Sequence, residues 1–290
     1  MQAAHHSEYG DPREVVSVID AARPVPKKGR VLVKVAAVAT NWADRSMTIG
    51  EPLLMRLGYG FRRPRQGIRG MDVAGTVVEV GPGVEEFGVG DEVFGWCQGA
   101  LAEFVSVKAK QLVPKPEAMS FESAAGLVMA GCVALQALRD VARVEEGDRV
   151  LVNGASGGIG TFAVQIGKAL GAHVTGVCST PNVELVTSLG ADRVIDYTVE
   201  DFTTSDERWD VILDQVDNRP LRERRAVLTE RGTLIPNSGE GGRVFGSVGR
   251  ILGSRLLSPF VRHRLRPFLS ISKREDLLEL CSLVERGAVS

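Results

Sequence analysis

The chain has 290 residues, 44% of them hydrophobic and 24% charged, with a net charge of −1. That length suggests about two domains, and the charge balance argues against nucleic acid or an anionic membrane as a partner. No apolar run approaches the roughly 18 residues of a spanning helix, and Met1 to Gly10 lacks the apolar core of a signal peptide. The four cysteines (Cys97, Cys132, Cys178, Cys281) are scattered, with no Cys-x-x-Cys pair. Free thiols in a reducing compartment, and a cytoplasmic location, follow as expectations.

Residues 1 to about 120 read as short strands separated by turns: 29–38, 73–80, 91–94 and 102–107, with Gly81-Pro82-Gly83, Gly88 and Gly90 as punctuation. That spacing predicts a small β-barrel or sandwich. An insert at 47–69 carries Met55, Leu57, Tyr59 and Phe61 beside Arg56, Arg62, Arg63 and Arg65. It reads as a long loop, either covering a pocket or lying on the surface.

Ser120 is a predicted N-cap for a helix over 124–141, with Gly126 and Gly131 as breaks. The central stretch follows: an apolar strand at 149–152, then Gly154, Ala155, Ser156, Gly157, Gly158, Ile159 and Gly160, then an amphipathic helix at 161–170. Strand, glycine turn and helix form a site for a phosphate-bearing ligand. The glycines let backbone approach the pyrophosphate, and the helix N-terminus adds partial positive charge. Strands at 173–177, 193–195, 210–214 and 232–235 alternate with helices at 183–190 and 221–229. Such alternation predicts right-handed crossovers and a parallel sheet, with ligands at its carboxyl rim: the turn after Val152, Cys178 to Thr180, Tyr197 and Val216 to Asn218. Residues 239–249 read as a glycine-rich loop, 250–257 and 276–286 as helices, and 260–269 as a basic surface strand or helix.

Five pieces stand in a telling order: Asn41-Trp-Ala-Asp44, residues 70–81 beginning Gly70-Met-Asp-Val-Ala-Gly, residues 90–95 (Gly-Asp-Glu-Val-Phe-Gly), the glycine turn with residues 165–172, and Val194-Ile-Asp-Tyr197. Together they resemble the medium-chain dehydrogenase/reductase superfamily, in its zinc-independent quinone reductase (zeta-crystallin-like) branch. The resemblance implies an α/β protein: a GroES-like β-barrel domain (1–120) plus a Rossmann doubly wound parallel-sheet domain (121–290), with the substrate cleft between them. Zinc-dependent members hold their metal at the positions that are here Thr40 to Asp44 and Gly70-Met71-Asp72. These offer neither Cys nor His, and the structural four-cysteine lobe is missing, so no metal is expected.

The strand ending at Val177 is followed by Cys-Ser-Thr-Pro-Asn, with no acid where NAD-binding domains place one about 20 residues beyond the turn. Ser179 and Thr180 can donate to a 2′-phosphate, or cap a helix, or both, and Tyr197 lies at the phosphate-contacting position of NADPH-dependent relatives. NADPH is therefore the expected cofactor, although Pro181 or Asn182 replaces the usual basic residue. The remaining cofactor contacts implied are Asn41, Val133, Val216 and Ser238. Val133 replaces a hydroxyl residue near the nicotinamide, and Asp217 replaces a glycine.

The implied reaction is hydride transfer from NADPH to a quinone or an α,β-unsaturated carbonyl, a small-molecule electrophilic acceptor. Asn41 is implied to hydrogen-bond near nicotinamide and acceptor. Asp44 either orients it or faces solvent, and Tyr59 either donates the final proton or packs the loop. Two alternatives stay open: an alcohol or carbonyl reductase of the same superfamily, and a non-catalytic NADPH-binding protein. A short-chain reductase is disfavoured because none of Tyr9, Tyr59 and Tyr197 has Lys four residues on. Family members continue past the position of Ser290 and return to the barrel, so a missing closing element is expected. The family's pairing of Rossmann sheets implies a homodimer, with the segment after Ser258 at the edge.

Overall fold

The computed structural model describes residues 1–237 and 262–290. The described chain forms two compact units: Met1–Met129 with Ser272–Glu285, and residues 130–237 with 262–271 and Arg286–Ser290.

The first unit opens with a hairpin that the polar N-terminal sequence does not announce. Strand β1 (Gln2–His5) pairs antiparallel with β2 (Ser17–Asp20), and the short helix α1 (Pro12–Val15) stands between them. Five antiparallel strands then form the barrel-type sheet: β3 (Arg30–Ala39), β4 (Asp72–Val80), β5 (Glu92–Trp96), β6 (Phe104–Lys108) and β7 (Leu112–Pro114), in the order β6-β3-β4-β5-β7. Val31 and Val33 of β3, Val73 and Val77 of β4, and Val105 and Val107 of β6 are buried in one apolar cluster. Their spacing of two residues in β3 and β6 and four in β4 is the pleat, which turns alternate side chains to one face.

The 47–69 insert is not one loop. It carries the end of α2 (Trp42–Ile49), a 3₁₀ turn at Leu53–Met55 and helix α3 (Arg56–Tyr59). The signals were local: Asn41 caps α2, Asp44 sits in its first turn, and Gly50 ends it at φ 74°.

Helix α4 (Phe121–Leu135) starts at Ser120, whose Oγ accepts from the Ser123 N–H at 3.1 Å. It runs through Gly126 and Gly131 unbroken, then widens into a π-type turn at Gln136–Ala142. Burial against its surroundings outweighs the roughly 1 kcal/mol that each helical glycine costs. The combined helix Phe121–Ala142 spans 22 residues and is apolar and long enough to cross a membrane, contrary to the sequence expectation. Its most apolar window is 72% buried inside the protein, which marks a core helix.

The second unit holds a six-stranded parallel sheet. Its strands are β8 (Arg149–Asn153), β9 (His173–Cys178), β10 (Arg193–Asp196), β11 (Trp209–Asp214), β12 (Leu228–Pro236) and β13 (Arg264–Leu265), ordered β10-β9-β8-β11-β12-β13. The order reverses between β8 and β11, the switch point where doubly wound sheets bind ligands. Helices α5 (Gly158–Ala169), α6 (Val183–Ser188) and α7 (Leu221–Ala226) make the crossovers. The helix expected over 221–229 stops at Ala226, and Leu228 already belongs to β12. Leu151, Ile195, Trp209, Ile212 and Leu234 are fully buried in its core. Buried Trp209 satisfies its indole N–H on Thr175 Oγ1 at 3.3 Å.

The final helix, α8 (Arg274–Glu285), belongs to the first unit, where Arg274 pairs with Glu86 and lies over the Phe87 ring. The loop expected at 239–249, the helix expected at 250–257 and Ser238 lie outside the described residues.

Candidate active site

In the second unit, β8 delivers the chain into the glycine turn and α5 carries it away. Gly154 adopts φ +87°, and its N–H and that of Ala155 both donate to Val177 O, at 3.1 and 2.9 Å. Gly157 N–H donates to Gly154 O at 3.0 Å. These three amides are used by the turn itself. Gly157 caps α5, and the first intrahelical bond runs from Thr161 N–H to Gly157 O. Helix geometry therefore leaves Gly158, Ile159 and Gly160 without an intrahelical acceptor, so the anion-facing donors sit one step later than the glycine spacing alone suggests.

Two glycines there have different reasons. A Cβ on Gly160 would stand 2.0 Å from Gly154 O, so the fold itself forbids a side chain. A Cβ on Gly158 would meet nothing within 4 Å. That open space above the helix N-terminus is what a diphosphate needs, so these residues fit a dinucleotide.

At the β9 end of the rim, Ser179 Oγ lies 3.1 Å from Asn182 Nδ2, which donates to it, leaving the hydroxyl proton free to donate. Thr180 Oγ1 lies 3.0 Å from Thr198 Oγ1. The sheet brings in a residue that the linear search for an acid passed over. Asp196 is paired in register with Cys178, and its carboxylate accepts from the N–H and hydroxyl of Thr198 at 2.9 and 2.8 Å. Hydrogen bonds from the Thr180 hydroxyl, then from Thr198, hold Asp196 below the usual carboxylate range. Tyr197 follows, 52% exposed, with its N–H on Cys178 O at 3.0 Å.

The loop after β11 comes beside the turn, for a Cβ on Gly154 would stand 3.0 Å from Val216 Cγ2. Asp214, wholly buried, organises this loop. Its Oδ1 accepts from the N–H groups of Val216 (3.1 Å) and Asp217 (2.8 Å) and from Asn153 Nδ2 (2.8 Å), while Oδ2 takes Arg224 at 2.8 Å. Asp217 has φ +58°, the conformation that suits glycine, and its carboxylate pairs with Arg224. Val133 lies well inside α4 and is 8% exposed, an apolar side chain with no hydrogen bond to offer.

In the first unit, Asn41 and Asp44 meet at the start of α2, where Asn41 N–H donates to Asp44 Oδ2 at 2.9 Å. Asp44 is 6% exposed and does not face solvent. Asn41 Nδ2 donates to Asp72 Oδ2 at 2.8 Å, and Met129 N–H donates to the same oxygen at 3.1 Å. Asp72, the first residue of β4, is 1% exposed. Burial pushes its carboxyl up to about 7, against the opposing bonds from Asn41 and Met129, with the Asp44 charge adding to the rise. An acid opening an apolar strand was the signal for Asp72, overlooked because nothing local explains it. Tyr59, on α3, neighbours Arg69. Buried Arg69 donates through Nε to His6 Nε2 at 2.6 Å, which requires a neutral His6 whose Nδ1–H donates to Glu8 O (3.0 Å).

These donors do not suit zinc. They are oxygen and amide groups, and the thiol beside them, Cys97, is buried; burial, then the Asp72 and Asp44 charges, push it up to about 12. No group of three or more His, Cys, Asp or Glu residues converges as a metal site among the described residues.

A parallel-sheet dinucleotide unit joined to an antiparallel barrel-type unit defines a nicotinamide-dependent oxidoreductase. Residues 27–117 match the alcohol dehydrogenase GroES-like domain, and 158–249 match the zinc-binding dehydrogenase domain. The chain is 33% identical over 305 residues to a chloroplast envelope quinone oxidoreductase homolog of Arabidopsis thaliana, covering 100% of this chain and 88% of that protein. It is 32% identical over 253 residues to 2-methylene-furan-3-one reductase of Solanum lycopersicum, covering 81% of this chain and 63% of that protein. The Escherichia coli quinone oxidoreductase, solved with NADPH, superposes with a TM-score of 0.81 at 26% identity, over 100% of this chain and 90% of that one. The chain belongs to the medium-chain dehydrogenase/reductase superfamily, in its quinone oxidoreductase branch.

Proposed function

We propose that the protein transfers hydride from NADPH to a quinone or an α,β-unsaturated carbonyl. The observation that carries this reading is the Asn41 amide held by buried Asp72 where zinc-using relatives place metal ligands. An amide stabilises developing charge on oxygen by hydrogen bonding, which suits conjugated acceptors that take hydride at carbon. The bound nicotinamide supplies the hydride, and the chain supplies position and electrostatics. Gly158, Ile159 and Gly160 would hold the diphosphate, and Ser179 and Tyr197 the 2′-phosphate. The names of the tomato and E. coli relatives support an enone or quinone acceptor.

A second reading, NADH, is favoured by Asp196. Its carboxylate engages Thr180 beside the proposed phosphate position, where it would repel a 2′-phosphate. Comparing Michaelis constants separates the two; a lower value for NADH sinks the NADPH reading.

Oxidation of NADPH assayed with a quinone, an enone and an aldehyde tests the acceptor. Turnover with the quinone or enone and none with the aldehyde is expected. Turnover with the aldehyde alone makes the protein a carbonyl reductase, and binding without turnover makes it a non-catalytic binder. A homodimer through the β13 edge and action in the cytoplasm complete the proposal. The Arabidopsis relative's name, with its chloroplast envelope, supports an organelle instead.

A further inference from the structure

We propose that Asp72 is the positioning residue for Asn41: its carboxyl holds the Asn41 amide in one orientation, and a proton on its other oxygen sets how firmly. This rests on Asn41 serving the acceptor. Asp72 Oδ2 receives both N–H donors, from Asn41 at 2.8 Å and from Met129 at 3.1 Å. Asp72 Oδ1 is buried and has no hydrogen-bond partner among the described residues. When Asp72 is protonated the proton goes to Oδ1, because Oδ2 already accepts from two N–H donors. Deprotonated Asp72 makes charge-assisted bonds to both donors, roughly twice as strong as neutral ones. Protonated Asp72 offers Oδ2 only as a neutral acceptor, and the Asn41 amide is held less tightly.

The titratable groups near this carboxyl are Asp44 at the start of α2 and the Cys97 thiol after β5. Arg69 acts on Asp44. Burial, then the Asp72 and Asp44 charges, oppose the ionisation of Cys97, so the thiol stays neutral where Asp72 titrates. With the Asp72 carboxyl at about 7, the change falls in the neutral range.

The test compares wild type, Asp72→Asn and Asp72→Ala. The first readout is the side-chain amide NMR signal of Asn41 in the protein without cofactor. It is expected to titrate with a midpoint near pH 7 in wild type and to stay fixed in Asp72→Asn. The second is kcat against pH, expected to rise through neutral pH in wild type, to be flat in Asp72→Asn, and to fall about tenfold in Asp72→Ala with little change in NADPH affinity. An Asn41 signal that does not titrate in wild type, or titrates equally in Asp72→Asn, overturns the proposal. So does a wild-type pH profile in Asp72→Asn, which keeps the test decisive if Asp72→Ala fails to fold. A protein that reduces no acceptor overturns the proposed function alone, because the amide readout needs no turnover.

Discussion

The guanidinium of Arg224 is shared between two buried carboxylates, Asp214 at 2.8 Å and Asp217. Asp217 occupies a left-handed backbone position normally given to glycine. Its carboxylate finds a cation that also serves the residue organising the loop. Arg224→Met leaves both acids buried without their cation, a change costing about 3–5 kcal/mol. Asp217→Gly keeps the backbone comfortable and leaves Arg224 on Asp214, so its loss is far smaller. Chemical denaturation of both variants gives this order.

Gly158 and Gly160 separate binding from folding. Gly160→Ala drives a methyl onto Gly154 O and lowers stability by more than about 1 kcal/mol. Gly158→Ala meets no protein atom and leaves stability within about 1 kcal/mol of wild type. It nevertheless fills the diphosphate space, so dinucleotide affinity falls at least about tenfold, or 1.4 kcal/mol. Thermal melts with fluorescence titration of the cofactor read both.

Asp72 makes stability pH-dependent with a definite sign. Its folded value, about 7, lies well above the ordinary value of an aspartate in an unfolded chain, about 4. Between those limits the folded state holds a proton that the unfolded state has released. The contribution is therefore complete below about pH 4 and is lost as pH rises toward 7, at up to about 1.4 kcal/mol per pH unit. Asp72→Asn lacks this decline. Urea midpoints between pH 4 and 8 should show the variant gaining on wild type as pH rises, and parallel curves would contradict the assignment.

Asp196 bears on cofactor choice. Asp196→Asn removes a carboxylate held ionised beside Thr180 while keeping an acceptor for the threonine hydroxyls. The Michaelis constant for NADPH should fall several-fold, and that for NADH should move less. Equal shifts for both would detach Asp196 from the 2′ position.

What the sequence disclosed was set by the range of the contacts. Gly154 to Gly160 work within one strand–turn–helix, so their spacing disclosed the turn, as apolar runs disclosed β8, β9 and β11. Asp196 was missed because its place beside Thr180 depends on the pairing of β10 with β9, which no local pattern encodes. Asp72 was missed for the same reason: Asn41 lies 31 residues away in the chain, and only the fold closes that bond. Helix α2 was passed over although Asn41, Asp44 and Gly50 carry its caps, because the arginine-rich stretch after it reads as loop. The glycines in α4 misled in the opposite sense, since burial rather than propensity decides that helix.

In the proposed reaction, hydride passes from the nicotinamide to carbon of a conjugated acceptor. The most direct measurement uses NADPH deuterated at its transferable C4 position, with an enone as acceptor. The expected product is a saturated carbonyl carrying deuterium at the former β-carbon, formed with a slowed kcat/KM for the labelled cofactor. An unlabelled product, or deuterium on the carbinol carbon of an alcohol, would contradict it.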